Sequence, residues 1–191
     1  MKTKLIILIL MLHGVTVFSQ KNKYENCCGD DAKVFAMQGI NIYVPNVITP
    51  NGDGINDAFY PVASNMKKEN FSVSNFQIFD EEKKLIFLIP GINTEKPEIW
   101  SFTGIASKRP HRPAEENNYE YTGRFFYKFK IVAGNRSGQP QTLEVEGSAC
   151  VVRCDEDAKI IKTKNKCAFP VQEVGGIYDK TKNNKETKCI E

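Results

Sequence analysis

The chain has 191 residues, of which 41% are hydrophobic and 26% are charged; these proportions are typical of a globular domain and argue against disorder along the whole length. With 26 Lys and Arg against 23 Asp and Glu, the formal net charge is +3, which is too small to indicate nucleic-acid binding by charge alone. Two histidines exclude a histidine-rich metal site, whereas six cysteines are many for this length and take their meaning from the compartment.

The first 19 residues have the layout of a secretory signal peptide. Lys2 and Lys4 form a short positive segment, residues 5–12 are an unbroken apolar run, and small or neutral residues precede a cleavage point before Gln20. A retained membrane anchor is the competing interpretation, but a bilayer requires about 20 apolar residues. We therefore expect the chain from Gln20 onward to be exported, with no transmembrane segment of its own.

An even number of cysteines in an oxidising compartment indicates disulfide bonds. None of the six lies in the middle of the chain, so the predicted bonds staple the two ends and leave the middle to its own hydrophobic core. The competing interpretation is a zinc site made of Cys27, Cys28, Cys150 and Cys154, but the adjacent pair lacks the usual gap between zinc ligands. The cysteines that we assign to disulfides are Cys27, Cys28, Cys150, Cys154, Cys167 and Cys189.

Alternating apolar and polar residues predict a chain built of β-strands. Residues 40–44, 71–79 and 125–131 alternate in this way, and residues 142–149 continue the pattern. Residues 85–89 form a continuous apolar run, which is typical of a strand buried on both faces. About seven short strands without a helical period indicate an all-β fold, an Ig-like antiparallel β-sandwich.

The predicted sandwich spans residues 40–153 and is flanked by two segments that carry cysteines. We interpret residues 20–39 as an irregular arm, because they are polar and lack a strand period. Residues 154–191 form a tail of mixed charge with few large apolar groups, and such a segment could not fold by burial alone. We expect disulfides to staple both segments to the sandwich.

The most informative stretch is residues 44–59, a strand that leads into a tight turn and then into another strand. Its prolines fix φ, its glycines permit positive φ, and its Asn and Asp side chains can bond backbone amides in Asx turns. Asn51, Asp53, Asp57 and the carbonyl of Ile55 could also surround a Ca²⁺ ion. The sequence is compatible with both a self-satisfied turn and a weak calcium site, and calcium is the cofactor that it suggests.

Residues 45–59 resemble the opening motif of the gliding-motility-associated C-terminal domain family, also called the type B sorting domain of type IX secretion substrates. Weaker similarities follow in the family's order at residues 76–80, at Trp100 with Gly104, at residues 123–129 and at residues 147–153. The resemblance implies an Ig-like sandwich of a Bacteroidetes-type bacterium that docks on outer-membrane proteins of the PorP/SprF kind or on another type IX translocon component. The residues that match the opening motif are Pro45, Asn46, Thr49, Pro50, Asn51, Gly52, Asp53, Gly54, Asn56, Asp57 and Phe59.

Two departures from the family pattern shape the function that we expect. The family's domain usually ends a chain that carries a large cargo, whereas here a cysteine-bearing tail follows and only a short segment precedes it. We therefore expect a stand-alone, non-catalytic component or accessory of the type IX secretion or gliding machinery. The edge of the last strand is the predicted docking surface, because unpaired edges accept partner strands, and its residues are Leu143, Val145, Ala149 and Val151.

Other functions fit the sequence less well. The main alternative is a calcium-dependent adhesive or glycan-binding module, which the turn at residues 51–57 would serve. Catalysis is not expected, because His111 is the only histidine after the signal peptide and lies in a proline-rich stretch that orients an imidazole poorly. Nucleic acid is not an expected partner either, since the exported chain has nearly balanced charge.

Overall fold

The structure is a computed structural model of the chain, and its described residues form an all-β sandwich, as the alternating pattern predicts. The strands are β1 (Lys33–Met37), β2 (Ile40–Val44), β3 (Val47–Ile48), β4 (Val62–Ala63), β5 (Asn70–Phe79), β6 (Leu85–Ile92), β7 (Ile105–Ser107), β8 (Asn118–Glu120), β9 (Gly123–Gly134) and β10 (Gln141–Val151), with 3₁₀ turns at Glu25–Cys27 and Glu115–Asn117. The described residues are 22–27, 32–37, 39–54, 56–63, 70–92, 101–111, 115–134, 139–155 and 157–158.

Two sheets form the layers of the sandwich. The larger sheet has the strand order β3-β10-β9-β5-β6 and the smaller sheet has the order β1-β2-β4, while β7 and β8 pair separately. The pairing of β3 with β10 is parallel, and the other strand pairs are antiparallel. The described chain holds ten strands rather than the expected seven or so, because several have only two or three residues and are too short to show a period.

The chain passes from one sheet to the other between β2 and β3. Pro45 separates the two strands, since it has no N–H group to donate to a ladder. Beyond it, the carbonyl of Asn46 accepts the N–H of Cys150, and the carbonyl of Ile48 accepts the N–H of Val152, each at 2.9 Å. This stretch therefore joins the two layers and fixes the motif of residues 45–59, which we call the signature segment, beside β10.

The core is built mainly from aromatic side chains of the central strands. Phe125 and Phe129 of β9 are fully buried, together with Ile131, as the alternation predicts. The Phe125 ring contacts Phe59 edge-on with centroids 5.0 Å apart, so the residue that closes the signature segment is anchored in the core. Edge-to-face pairs of this kind contribute about 0.5–1.5 kcal/mol beyond their buried area.

Two stretches differ from the sequence-based expectation. Lys33–Met37, inside the segment expected to be irregular, forms β1 and pairs with β2 over five residue pairs. The run at residues 85–89 lies in β6, at the edge of the larger sheet, and there only Ile86 is fully buried, so the expectation of two buried faces was wrong. An apolar run alone cannot distinguish a central strand from an edge strand with one half-covered face.

Several expectations fall on residues outside the described ranges. The signal peptide, Ile55, Trp100 and nearly all of the tail are among them, and so are Cys28, Cys167 and Cys189. Within the described ranges, no helix has the length and apolarity that crossing a bilayer would require.

Candidate functional site

The signature segment forms a corner at one end of the sandwich, which we call the signature corner (residues 49–57). Its start is held inside, because Thr49 is fully buried and donates its N–H to the carbonyl of Asn56 at 2.7 Å. Pro45, Asn46 and Phe59, just outside the corner, are also buried, whereas residues 51–54 are exposed. The matched motif residues therefore divide into an anchored base and an exposed tip.

One carboxylate organises the exposed tip. Asp57 Oδ1 accepts the backbone N–H groups of Asn51 and Gly52 at 2.9 and 2.8 Å, and its Oδ2 accepts that of Gly54 at 2.6 Å. Both glycines have positive φ, 81° for Gly52 and 84° for Gly54, which L-residues adopt at a cost. The spacing of Asn, Gly and Asp in the motif thus produces a turn that wraps its backbone around a single side chain.

A second pair of bonds closes the tip, and a further contact links the tip to the start of the C-terminal tail. Asn51 Oδ1 accepts the N–H of Asp53 at 2.9 Å, and Asn51 Nδ2 donates to Asp53 Oδ2 at 3.1 Å. The same Nδ2 group lies 3.7 Å from Cys154 Sγ, and Cys154 is itself disulfide-bonded. The signature corner is therefore in contact with the region where the C-terminal tail begins.

These contacts bear on the calcium interpretation of Asn51, Asp53, Ile55 and Asp57. The three backbone N–H groups on Asp57 supply the positive partial charge that a cation would otherwise provide, which is the arrangement of a self-satisfied turn. Among the described residues, no group of three or more His, Cys, Asp or Glu side chains is placed to hold a metal ion. A calcium ion would have to replace at least part of this network, and calcium binding stays a prediction.

Close packing joins the signature corner to the strand that follows Phe102. Gly104 has a φ of +77°, and a Cβ at this position would lie 2.9 Å from Val151 Cγ1 and 3.4 Å from Pro50 Cγ. Arg153 Nη2 donates to the Gly104 carbonyl at 3.2 Å and so closes the space on the other side. Gly104, which the sequence suggested only through its weak Trp-Gly similarity, is thus brought directly against the motif.

A disulfide fixes the two ends of the fold beside the signature corner. Cys27 and Cys150 are bonded although they are 123 residues apart, so the prediction of end-to-end stapling is confirmed for this pair and the zinc interpretation is wrong. We call the buried cluster around this bond the terminal clamp. Its members are Tyr24, Cys27, Val47, Cys150, Val152 and Ala158.

Polar contacts complete the terminal clamp. The Tyr24 hydroxyl accepts the N–H of Arg153 and donates to Asp155 Oδ2, both at 3.0 Å, and burial raises the pKa of Tyr24 to about 12. Lys23 Nζ lies 2.6 Å from the same carboxylate oxygen. Burial by itself would raise the pKa of Asp155, but the bond from Lys23 and those from Ala158 and Tyr24 outweigh it, so that pKa lies below its ordinary value.

Sequence reasoning missed this polar cluster. Tyr24 and Asp155 are separated by 131 residues, and neither belongs to a recognisable motif. The only signal was indirect: cysteines at both ends indicated that the ends meet, without showing which polar residues meet with them.

The predicted docking residues occupy different environments from those expected. Val145, Ala149 and Val151 are buried in the core and Leu143 is half-buried, so their side chains pack against the interior of the sandwich. Their alternation was interpreted correctly, but it places them on the inner face of the sheet. Docking of a partner at the backbone edge of β10 stays a prediction.

His111 is exposed, at a turn beyond β7.

In comparisons with known proteins, the chain matches no family model, no curated protein and no solved structure.

Proposed function

We propose that this chain is an exported, non-catalytic cell-surface protein. It serves as a stand-alone component or accessory of the type IX secretion or gliding machinery and docks on an outer-membrane protein. The observation that carries the proposal is the signature segment at residues 45–59, whose resemblance to the type B sorting domain motif is specific in both residue type and spacing.

The geometry of the signature corner supports this interpretation of residues 45–59. The matched positions are the ones that build the corner: Gly52 and Gly54 take positive φ, Asp57 holds three backbone N–H groups, and Phe59 is anchored in the core. At each of these matched positions, the residue type is the one that the local structure requires. The all-β sandwich is also the fold that the resemblance implies.

The roles of the ionisable groups favour a non-catalytic protein. Asp57 is engaged by backbone amides, Asp155 is bonded to Lys23 and Tyr24, and Glu144 pairs with Lys130 at 2.9 Å. Each of these contacts is structural and lies on the surface or at a chain end. Acid–base catalysis would instead need titratable groups that converge on a cleft where a substrate can sit.

The test is a comparison of surface display between two strains. A tagged form of the full chain is expressed in a type IX-proficient bacterium and in a strain that lacks the translocon, and surface exposure is measured by protease accessibility on intact cells. We expect display only in the proficient strain, together with capture of an outer-membrane β-barrel protein from solubilised membranes. Equal display in both strains would contradict the proposal.

The calcium-dependent adhesive module remains the second candidate, favoured by the exposed oxygen-bearing tip of the signature corner at residues 51–54. Glycan-array binding and the melting temperature, each measured with calcium and with a chelator, test it. Binding that requires calcium and disappears in an Asp53→Asn variant would support it. A melting temperature and an array profile that do not respond to calcium would remove it.

A further inference from the structure

The outer edge of β10 presents backbone groups at every second residue. The β9–β10 register runs without a shift from Gln141 to Val151, so N–H and C=O groups alternate regularly between the β9 side and the opposite side. The bond from the N–H of Cys150 to Asn46 marks the even-numbered residues as those that face away from β9. The backbone groups of Thr142, Glu144 and Glu146 therefore point to the outer edge.

Little of this edge is occupied by a strand. Within the described residues, only β3 pairs with β10 on this side, and it does so at Cys150 and Val151. Among the residues that the structure describes, none pairs with the edge over residues 142–146, and a further strand there would extend the larger sheet. Exposed edges of this kind are templates for strand addition by another chain.

An open groove separates this edge from β1, the edge strand of the smaller sheet. We call it the seam; it has a volume of about 510 Å³ and is lined by residues 34–37 and 141–143. Lys33, at the start of β1, is bonded to the Glu146 carbonyl of β10, so the two strands lie close to each other at this point. Val34, in the seam, is 52% exposed, which is a large exposure for an apolar side chain of a strand. A single extended segment in the seam would cover it.

A lysine side chain donates a hydrogen bond to one of the outward carbonyl groups of β10. Lys33 Nζ donates to the Glu146 carbonyl at 2.5 Å, which places a charge where an incoming strand would donate an N–H. Natural sheets protect open edges with lysines in this way. A second groove is lined by Lys33 and by Lys83 and Lys128, with Glu146 as its only carboxylate, so the surface around Lys33 has an excess of positive charge.

From these observations we infer that the seam accepts an extended segment of the docking partner, which pairs with the open edge of β10 over residues 142–146. The segment has alternating apolar side chains that cover Val34 and Leu143, and acidic residues at the end that reaches Lys33. On binding, Lys33 releases the Glu146 carbonyl to a backbone N–H of the segment and contacts the acidic residue instead. This inference rests on the proposed function and specifies how the partner is held.

The probe is a set of synthetic peptides measured against the full exported chain by NMR amide exchange. Each peptide has seven residues of alternating Val and Thr and carries two Asp at its amino or carboxyl end; matched peptides carry two Lys instead. We expect at least one Asp peptide to slow exchange about tenfold or more at Thr142, Glu144 and Glu146. Leu143 and Val145, which already pair with β9, should change little.

Backbone variants separate strand pairing from side-chain effects. Glu144→Pro removes an outward N–H while the ladder to β9 is kept, so it should abolish the protection; Glu144→Ala removes the same carboxylate, keeps the N–H, and should retain it. Thr142→Pro serves as the second variant if Glu144→Pro fails to fold. Lys33→Met should keep the protection but lose a preference of about fivefold or more for Asp peptides over Lys peptides.

Three peptide results would each overturn the inference: no slowing at millimolar peptide, equal slowing at odd and even positions, or peptide binding by a folded proline variant. A dimer in solution whose edge amides are protected without peptide would assign the seam to a second copy of this chain and would also overturn it. Translocon-dependent surface display does not rely on these amides, so its persistence after such a result would leave the proposed function standing.

Discussion

The hydroxyl oxygen of Tyr24 accepts the backbone N–H of Arg153 at 3.0 Å, across 129 residues of sequence. The same hydroxyl donates to Asp155, so one fully buried side chain satisfies both a backbone donor and a carboxylate at the opposite end of the fold. The terminal clamp is therefore a specific polar arrangement as well as a covalent bond. Its contribution to the stability of the fold can be measured with variants.

Asp155 should make the fold sensitive to acid. Its pKa in the folded state is below the ordinary value, so it stabilises the fold above the unfolded-state pKa near 4, and this contribution is lost as the pH falls through the folded-state pKa. We expect an Asp155→Asn variant to melt at a lower temperature at pH 7, with a difference from wild type that shrinks between about pH 5 and pH 2. Thermal melting across this range measures it.

Asp157→Asn is the matched control for that series, because Asp157 makes a longer contact of 3.7 Å with Lys23 and is about half exposed. It should differ little from wild type at any pH. If the Asp155→Asn difference stayed constant down to pH 2, the lowered pKa would not be the source of the effect.

Asp57 should be the main stabilising side chain of the signature corner. Asp57→Asn replaces a carboxylate that accepts three backbone N–H groups with an amide that has one acceptor oxygen, so at least one N–H loses its partner. We expect a loss of about 1–3 kcal/mol in the free energy of unfolding, measured by urea denaturation. Asp53→Asn, at an exposed position, should cost under about 1 kcal/mol, and an equal cost for both variants would contradict this reading.

Gly104 is expected to tolerate no side chain. Gly104→Ala combines a positive φ with a Cβ placed 2.9 Å from Val151 Cγ1, so both backbone strain and steric overlap oppose it. Gly39→Ala is a matched control, because Gly39 has a similar φ of +79° and nothing within 4 Å of the added Cβ. We expect Gly39→Ala to cost about 1 kcal/mol in urea denaturation and Gly104→Ala distinctly more. Equal losses in the free energy of unfolding for the two variants would show that the neighbours of Gly104 move away from the added methyl group at no energetic cost.

Removal of the Cys27–Cys150 bond should destabilise the fold strongly. The bond closes a loop of more than a hundred residues, for which a loss of about 5 kcal/mol is expected in the chain-entropy account, at the upper end of the general range of about 2–5 kcal/mol. The double variant Cys27→Ser/Cys150→Ser, compared with wild type by urea denaturation without reductant, measures this. A change below about 1 kcal/mol would mean that the remaining contacts of the terminal clamp hold the ends unaided.

The sequence allowed the strand pattern and the motif to be predicted, because both depend on neighbours in the chain. Period-two alternation placed Phe125 and Phe129 on the buried face, and Asn, Gly and Asp spacing identified the turn at residues 51–57. β1 was missed because its five residues show no clear alternation; their burial runs from exposed at Lys33 to buried at Met37. Its strand character comes from pairing with β2.

Contacts between distant residues could not be predicted in the same way. Alternation shows which residues of β10 share a face, but it does not show whether that face is covered. Likewise, no pattern links Tyr24 to Asp155 or Lys33 to Glu146, since each pair meets only when the two ends of the chain are assembled. The motif could be identified from the sequence, whereas the residues that surround it are known only from the three-dimensional structure.

The position of the Cys27–Cys150 bond has a mechanical consequence. If the protein is pulled by the segments on either side of the sandwich, as happens to a surface molecule attached at one end, tension travels from residue 27 to residue 150 through the sulfur atoms. The strands between them then carry no load, and the outer edge of β10 keeps its shape while the ends are stretched.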